Sequence, residues 1–358
     1  MNRDFFIKKY FNFPFSKIVS LLNTNNAFCE FDFDQIFLSL SENRKDIQVS
    51  ERVIKYSCRT DIGDVDNQKE NIIIICIKDN NHLLNFCLDN IYQNNIDQYC
   101  DILVIDDRPL SSDNHFLCLN KKITYCQINN TDDTFNYSII NNIGASYAKL
   151  FDKKRILFWN SDLWTDNPNT LKNILKAHID KNSTITGTKL IYPNQSDYQN
   201  LRVQEHVLGK HLANSYGTIQ HGGIIFIPSP CLVNPKSLML MPSHQWRFYQ
   251  QDHSLASIDQ RCFAVTGALH IINIKDFLDL GGYGCCLASS YQDIDLCQRA
   301  VQKQMPVYYI GSEFMFHAET ITNVDGQNLN NSKLYQSDRL VYEYIWQTQI
   351  QKILGMSK

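Results

Sequence analysis

Residues 71–107 read NIIIICIKDNNHLLNFCLDNIYQNNIDQYCDILVIDD, and this stretch decides the fold. Its opening, NIIIICIK, is an unbroken apolar, β-branched run, the pattern of a strand covered on both faces. Leu83, Leu84, Cys87, Leu88 and Ile91 then recur at helical spacing. DILVIDD is a second apolar run, and it ends in two acids, Asp106 and Asp107. A strand, a helix and a strand in this order make a βαβ unit, whose two strands lie parallel.

The alternation continues outward. ITYCQI (123–128) reads as a third strand, FNYSIINNIGASYAKLF (135–151) as a helix, and RILFWNSD (155–162) as a fourth strand ending at Asn160 and Asp162. The expected fold class is therefore α/β, with a Rossmann-like, mostly parallel central sheet. Ligands of such sheets bind beyond the carboxyl ends of the strands, so Asp106, Asp107 and Asp162 are expected to face one crevice. No GxGxxG element is present, which argues against NAD. TGTKLIYPN (186–194) and TIQHGGIIFIP (218–228) read as further strands, separated by a polar insertion near 195–217. Residues 228–260, rich in Pro, Ser, Gln and His, read as a loop beside the site.

Residues 1–70 read as an N-terminal extension closing in an acidic, amide-rich linker, DIGDVDNQKEN. Phe5, Phe6, Phe11, Phe13 and Phe15 suggest that it packs against the core. The α/β domain spans 71–320, with halves at 71–165 and 166–320. From 321 to 358 the chain reads as a helical tail, on the spacing of Leu334, Val341, Tyr344, Ile345 and Ile350.

Composition narrows the function classes. With 358 residues, 44% hydrophobic and 20% charged, the chain can bury a sizeable core, as a soluble enzyme does. A formal net charge of −3 and a pI near 6.4 give no electrostatic case for nucleic acid. The twelve cysteines include no CxxC pair, and several sit in apolar runs (Cys76, Cys87, Cys126, Cys262). Free thiols in a reducing compartment are expected, and neither a disulfide framework nor a zinc site. The opening MNRDFFIKKYFNFPF lacks the sustained apolar core of a secretion signal, and the run Ile72–Ile77 is too short to span a bilayer. These features point to the cytoplasm, with peripheral contact at the cytoplasmic face of a membrane left open.

The chemistry-bearing residues cluster in two places. YGCCLASSYQDIDLCQRAVQKQMPVYYIGSEFMFH (283–317) holds Asp293 and Asp295, an apparent helix, a β-rich run and His317. Each has a bland alternative. Asp162 suits an N-cap or turn, the two aspartates suit a helix dipole, and a lone histidine is commonly structural. Taken together, they suit a diphosphate held by a metal with a carboxylate base opposite. A strand-end carboxylate and a neutral imidazole, Asp162 and His317, form a donor set for Mn²⁺, whereas Mg²⁺ favours oxygens. A carboxylate within about 3 Å of an acceptor hydroxyl takes its proton, and Asp293 is placed in that role.

In order along the chain, VIDD (104–107), FNYSIINNIGASYA (135–148), ILFWNSD (156–162), TGTKLIYPN followed by TIQHGGIIF, AVTGALHIINIKDFLDLGGY (264–283), YQDIDLCQRA (291–300) and FMFHAET (314–320) resemble the family 2 glycosyltransferases of GT-A fold, particularly their bacterial rhamnosyltransferase-like branch. The resemblance covers about residues 71–320. It implies a nucleotide-binding half (71–165), an acceptor and catalytic half (166–320), and an inverting, metal-dependent sugar transfer. The donor would be a nucleotide-diphosphate sugar, UDP- or dTDP-linked, and the acceptor a hydroxyl of a glycan, lipid or protein. Asp106, Asp107 and Arg108 would meet the nucleotide. Asn160 and Asp162 would meet the diphosphate and metal, His317 the metal, and Asp293 would be the base. His221, Gly222, Gly267, Gln292 and Asp295 fall in the matched segments as candidate substrate contacts. Three departures stand out: NSD has one carboxylate where a full DxD has two, Gln292 replaces an acid, and DDRP replaces DDGS. The first two motivate an alternative, a nucleotide-sugar or glycan-binding module on the same scaffold that has lost catalysis.

Overall fold

A computed structural model describes residues 13, 15–22, 27–32, 53–78, 80–130, 135–201, 215–232, 238–319, 333–346 and 349. The chain opens with α1 (Phe15–Leu22) and the strands β1 (Ala27–Asp32) and β2 (Val53–Asp61). The βαβ unit follows as β3 (Asn71–Ile77), α2 (Asn81–Gln93) and β4 (Cys100–Asp107). Next come α3 (Asp113–Asn120), β5 (Thr124–Asn130), α4 (Tyr137–Leu150), β6 (Arg155–Asn160) and the short β7 (Leu163–Trp164).

Period-two alternation in β3 explains why helices cover both faces of the sheet. Ile72 and Ile74 pack with Ile139, Ile140 and Ile143 of α4, while Ile73, Ile75 and Ile77 pack with Leu84, Cys87, Leu88 and Ile91 of α2. Each such buried isoleucine contributes about 1.5–3 kcal/mol. Both helices begin at an asparagine cap: Asn80 accepts the Leu83 N–H and Asn136 the Ile139 N–H, each at 3.0 Å. Gly144 lets α4 lie close on the sheet, because a Cβ there would stand 2.7 Å from Ile74 Cγ2.

The second half contributes α5 (Thr170–Asp180), β8 (Ile185–Ile191), α6 (Gln195–Asn200), β9 (Ile219–His221), β10 (Ile224–Pro230), β11 (Leu238–His244) and β12 (Gln260–Arg261). It closes with β13 (Leu269–Asn273), α7 (Ile274–Asp279), α8 (Gln292–Gln302), β14 (Val307–His317) and α9 (Lys333–Trp346). Strand order in the main sheet is β1-β2-β5-β4-β3-β6-β13-β8-β14-β12. Strands β5, β4, β3 and β6 run parallel, β13 runs antiparallel to β6 and β8, and β14 is parallel to β8. The carboxyl ends of β4, β6 and β14 therefore share one side of the sheet.

Two expectations about organisation change. The extension does not end in a free linker, because β2 joins the sheet antiparallel to β5. The 61–70 stretch is pinned by Lys153, which donates to Asp66 O at 2.7 Å and pairs with Asp101 at 2.6 Å. Part of the loop expected at 228–260 is a hairpin, β10 against β11. Phe13 and Phe15 do join the core, with Phe15 edge-on to Phe277 at 5.9 Å. Phe5, Phe6, Phe11, most of the insertion (202–214) and the start of the tail (320–332) lie outside the described residues. No helix among the described residues is long and apolar enough to cross a membrane. The eleven cysteines with described side chains are free.

Candidate active site

Register places the first two acid clusters on neighbouring rungs. Asp106 pairs with Ile77 of β3, and Asn160 pairs with Cys76 of the same strand. Asp106 is fully buried, and its Oδ2 accepts from Asn114 Nδ2 at 2.7 Å and Tyr125 Oη at 3.0 Å. It ties α3 and β5 to the end of β4. Asp107 is also buried and lies 3.5 Å from the Arg108 guanidinium. Burial pushes its carboxyl up to about 6, against the pull of Arg108. Arg108 itself sits at φ +53°, in the left-handed region that favours glycine.

Beyond β6, three side chains converge. His317 Nε2 lies 3.1 Å from Asp162 Oδ1 and 3.2 Å from Asn160 Nδ2. The pairing of Phe316 and His317 with Trp164 and Leu163 brings the end of β14 against the segment after Asp162. His317 Nδ1 lies 2.7 Å from Gln220 Oε1, and Gln220 Nε2 returns a bond to the His317 carbonyl at 3.1 Å. The amide thus grips both ends of the residue. With Nδ1–H donating to Gln220, Nε2 is the nitrogen turned to Asp162 and Asn160; its proton bonds to the Asp162 carboxylate, and a metal bound between them would take that proton's place. Burial disfavours charge on this ring, yet the Asp162 carboxylate and Glu319 outweigh it and hold His317 above its ordinary value.

A carboxylate oxygen and an imidazole nitrogen at this separation fit Mn²⁺, with the Asn160 amide adjacent. Among the described residues no group of three or more His, Cys, Asp or Glu converges on one point. Two protein ligands suit a divalent ion that shares its shell with substrate phosphates and water.

One short backbone segment joins this cluster to Asp293. Thr266 N–H points to His221 Nε2 at 3.4 Å, Gly267 N–H donates to Asp293 Oδ2 at 2.7 Å, and Ala268 O accepts the Asn160 N–H at 3.0 Å. Tyr137 Oη holds the Gly267 carbonyl at 3.0 Å. A Cβ at Gly267 would come within 3.1 Å of Asp293 Cβ, so the close approach depends on glycine. His221 is fully buried, and burial first and then the neighbouring His244 keep it neutral. Its Nδ1 is 2.9 Å from His244 Nδ1, and with Nε2 accepting from Thr266 the shared proton belongs to His221. Gly222 lies against Trp246, where a Cβ would meet Cδ1 at 2.7 Å.

The two aspartates of YQDID part company. Asp293, in the first turn of α8, is partly exposed. Asp295 is fully buried and held by Arg299 at 2.7 Å and Trp346 Nε1 at 2.9 Å. Expected as a substrate contact, Asp295 instead anchors the helix, because positions two apart face different sides. Gln292 is buried, and its Oε1 has no hydrogen-bond partner among the described residues. Sequence reading missed Gln220, although it directly precedes His221. It also missed Arg247, which pairs with Glu319 at 2.8 Å and bonds to Tyr192 beside the His317 strand end.

No protein-family model matches the sequence, and no curated protein matches it either. Solved structures do. The crystal structure of GalNAc-T7 with UDP, GalNAc and Mn²⁺ superimposes with a TM-score of 0.54 at 13% identity, over 79% of this chain. The fold is GT-A. That match spans 49% of the GalNAc-T7 chain, so this chain covers about half of its length. S. aureus TarS residues 1–349 with UDP-GlcNAc (10% identity, 69% of this chain and 58% of that one) and the Pyrobaculum calidifontis mannosyltransferase PcManGT with GDP-Man and Mn²⁺ (10%, 96% and 84%) are more distant, each with a TM-score of 0.42. The antiparallel β13 between β6 and β8 interrupts the parallel run at the centre of this GT-A sheet.

Proposed function

We propose that the chain is a glycosyltransferase that moves a sugar from a nucleotide-diphosphate donor to an acceptor hydroxyl with inversion at the anomeric carbon. The observation that carries this reading is the Thr266–Ala268 segment, which links the partly exposed Asp293 to the Asn160–Asp162–His317 cluster. Asp162 and His317, with Asn160 beside them, would hold Mn²⁺ or Mg²⁺. Bound there, the ion offsets the charge that develops on the leaving diphosphate.

Asp293 accepts the proton of the attacking hydroxyl while Gly267 N–H keeps its carboxylate oriented. Asp107 and Arg108, at the end of β4, contact the nucleotide. Arg247, a cation half-buried near His317, supplements the ion at the phosphates. The GalNAc-T7 structure was obtained with UDP and Mn²⁺, which supports a UDP-linked donor here. The single carboxylate of NSD and the replacement at Gln292 favour, as a second reading, a module that binds a nucleotide-sugar without turning it over.

Thermal-shift titration with UDP, dTDP, GDP and CDP, with and without Mn²⁺, tests the donor site. Nucleotide at 100 times its Kd adds about 2.7 kcal/mol of stability. A Mn²⁺-dependent shift that is lost in Asp162→Ala is expected. Asp293→Asn should keep that shift and lose transfer. An Asp293→Asn protein with most of its transfer activity intact removes the base assignment, and binding without turnover by the wild type selects the second reading.

A further inference from the structure

The C-terminal helix α9 carries Asp338, which is buried. Its carboxylate accepts three consecutive backbone N–H groups from a loop about fifty residues upstream. Oδ1 takes Ala288 N–H at 3.0 Å, and Oδ2 takes Ser289 N–H at 2.7 Å and Ser290 N–H at 2.8 Å. The Ser289 hydroxyl adds a fourth bond at 3.3 Å. These residues immediately precede α8 and Asp293. Helix α8 has no side-chain cap of its own, and its N-cap, Tyr291, sits at φ +66°. A bulky residue persists in that conformation when its surroundings over-determine it.

Helix α9 supplies those surroundings. Tyr291 Oη meets Tyr335 Oη at 2.6 Å, and the Tyr291 ring stacks on Tyr342 at 4.7 Å. Further along α8, Tyr342 Oη donates to Gln298 at 3.0 Å and Trp346 to Asp295 at 2.9 Å. The opposite side of the loop is held by the start of α4, where Tyr137 N–H donates to Ala288 O at 2.7 Å and Asn136 to Cys285 O at 3.1 Å. Only one of these two walls belongs to the α/β domain. The other is the tail.

We propose that Asp338 is a positioning residue for the transfer reaction: by gathering the N–H groups of residues 288–290 it fixes the entry into α8, and so the direction in which Asp293 points. Burial pushes the Asp338 carboxyl up to about 7, while the three N–H donors favour its charged form, and the geometry of three directed bonds on one side chain fixes the loop whichever form is present. A misplacement of about 1 Å at a reacting group costs on the order of a hundredfold in rate. The inference rests on the reading of Asp293 as the base, and the test separates the two.

Asp338→Ala and Asp338→Asn are compared with Asp293→Asn in the full chain, for steady-state transfer and for amide hydrogen exchange. The expected result is a kcat lowered about tenfold or more in Asp338→Ala, with donor KM and the Mn²⁺–nucleotide stabilisation unchanged and Asp338→Asn intermediate. Exchange should rise at Gly267, whose N–H is bonded to Asp293 and which lies far from Asp338 in sequence. A local structural role raises exchange at 288–290 alone. Unchanged kcat and unchanged Gly267 exchange in Asp338→Ala overturn the proposal. Asp293→Asn with full activity overturns the base reading instead. If the wild type shows no turnover, Gly267 exchange still decides whether Asp338 positions Asp293. If Asp338→Ala does not fold, Asp338→Asn carries both measurements.

Discussion

Gly267 donates its N–H to Asp293 Oδ2 at 2.7 Å, and a Cβ at 267 would lie 3.1 Å from Asp293 Cβ. The same backbone both orients the carboxylate and sits too close to it to carry a side chain. Gly267→Ala should therefore displace Asp293 by a few tenths of an ångström without unfolding the sheet. Transfer is expected to fall about ten- to a hundredfold with nucleotide binding preserved. Kinetics on the purified variant check this, and full activity would show that the contact has no part in the reaction.

Gln220 holds His317 from behind, at Nδ1 and at the carbonyl. Outer partners of this kind typically tune metal affinity about ten- to a hundredfold. Gln220→Ala should weaken Mn²⁺ by that factor, read from the Mn²⁺ dependence of nucleotide stabilisation. His317→Ala should abolish the dependence. Equal Mn²⁺ titrations for wild type and Gln220→Ala would remove the amide from the site.

Arg108 occupies a left-handed conformation that costs a non-glycine residue about 1–2 kcal/mol. In an Asp107→Asn background, where no ion pair is lost, Arg108→Gly relieves the strain and loosens the unfolded chain, for a net stabilisation on the order of 1 kcal/mol. Calorimetry should show a higher Tm. If the guanidinium contacts the nucleotide, the same variant binds UDP more weakly. A double variant that melts lower than Asp107→Asn alone contradicts the strain argument.

Asp107 carries a pH signature. Its carboxyl is pushed up by burial from 3.8 to about 6, so the native state holds the proton more tightly than the unfolded chain. The stability this contributes is present below about pH 4 and is lost as pH rises through 6, a change of about 3 kcal/mol. Asp107→Asn lacks the group and the slope. Urea unfolding from pH 4 to 8 should show the wild type losing ground relative to Asp107→Asn over that window. Parallel curves would mean the carboxyl is not perturbed.

Much of the scaffold was legible in local pattern. NIIIICIK announces a strand buried on both faces, DILVIDD and RILFWN announce two more strands, and each becomes one. The helical spacing at 83–91 was equally plain. The strand at 53–61 has its own signal, Ile54, Tyr56 and Cys58 alternating with Lys55, Ser57 and Arg59, but its place in the sheet between β1 and β5 is set by those partners. The first strand of the hairpin β10–β11 is legible in TIQHGGIIFIP (218–228), while its return strand β11 (Leu238–His244) is hidden by prolines and serines, which a two-stranded sheet tolerates and a central strand does not.

Within the site, residue types were visible and their partners were not. Nothing near YQDID in sequence says that Asp295 turns inward to Arg299 and Trp346 while Asp293 faces out. That division depends on a helix 51 residues away docking against α8. Likewise Gln220 is an ordinary polar residue until β9 sets it 97 positions from His317 in sequence and 2.7 Å away in space.

By itself, then, the sequence determined the alternating α/β scaffold and the acids at its strand ends, since apolar periodicity and turn chemistry act within about a dozen residues. Tertiary structure alone decided which of those acids reach the crevice, which nitrogen of His317 faces Asp162, and that the C-terminal helix bears on the entry to α8. Those outcomes rest on hydrogen bonds between residues far apart in the chain, such as Asn160 and His317 at a separation of 157 positions, and such bonds exist only once the packed core has brought their elements together.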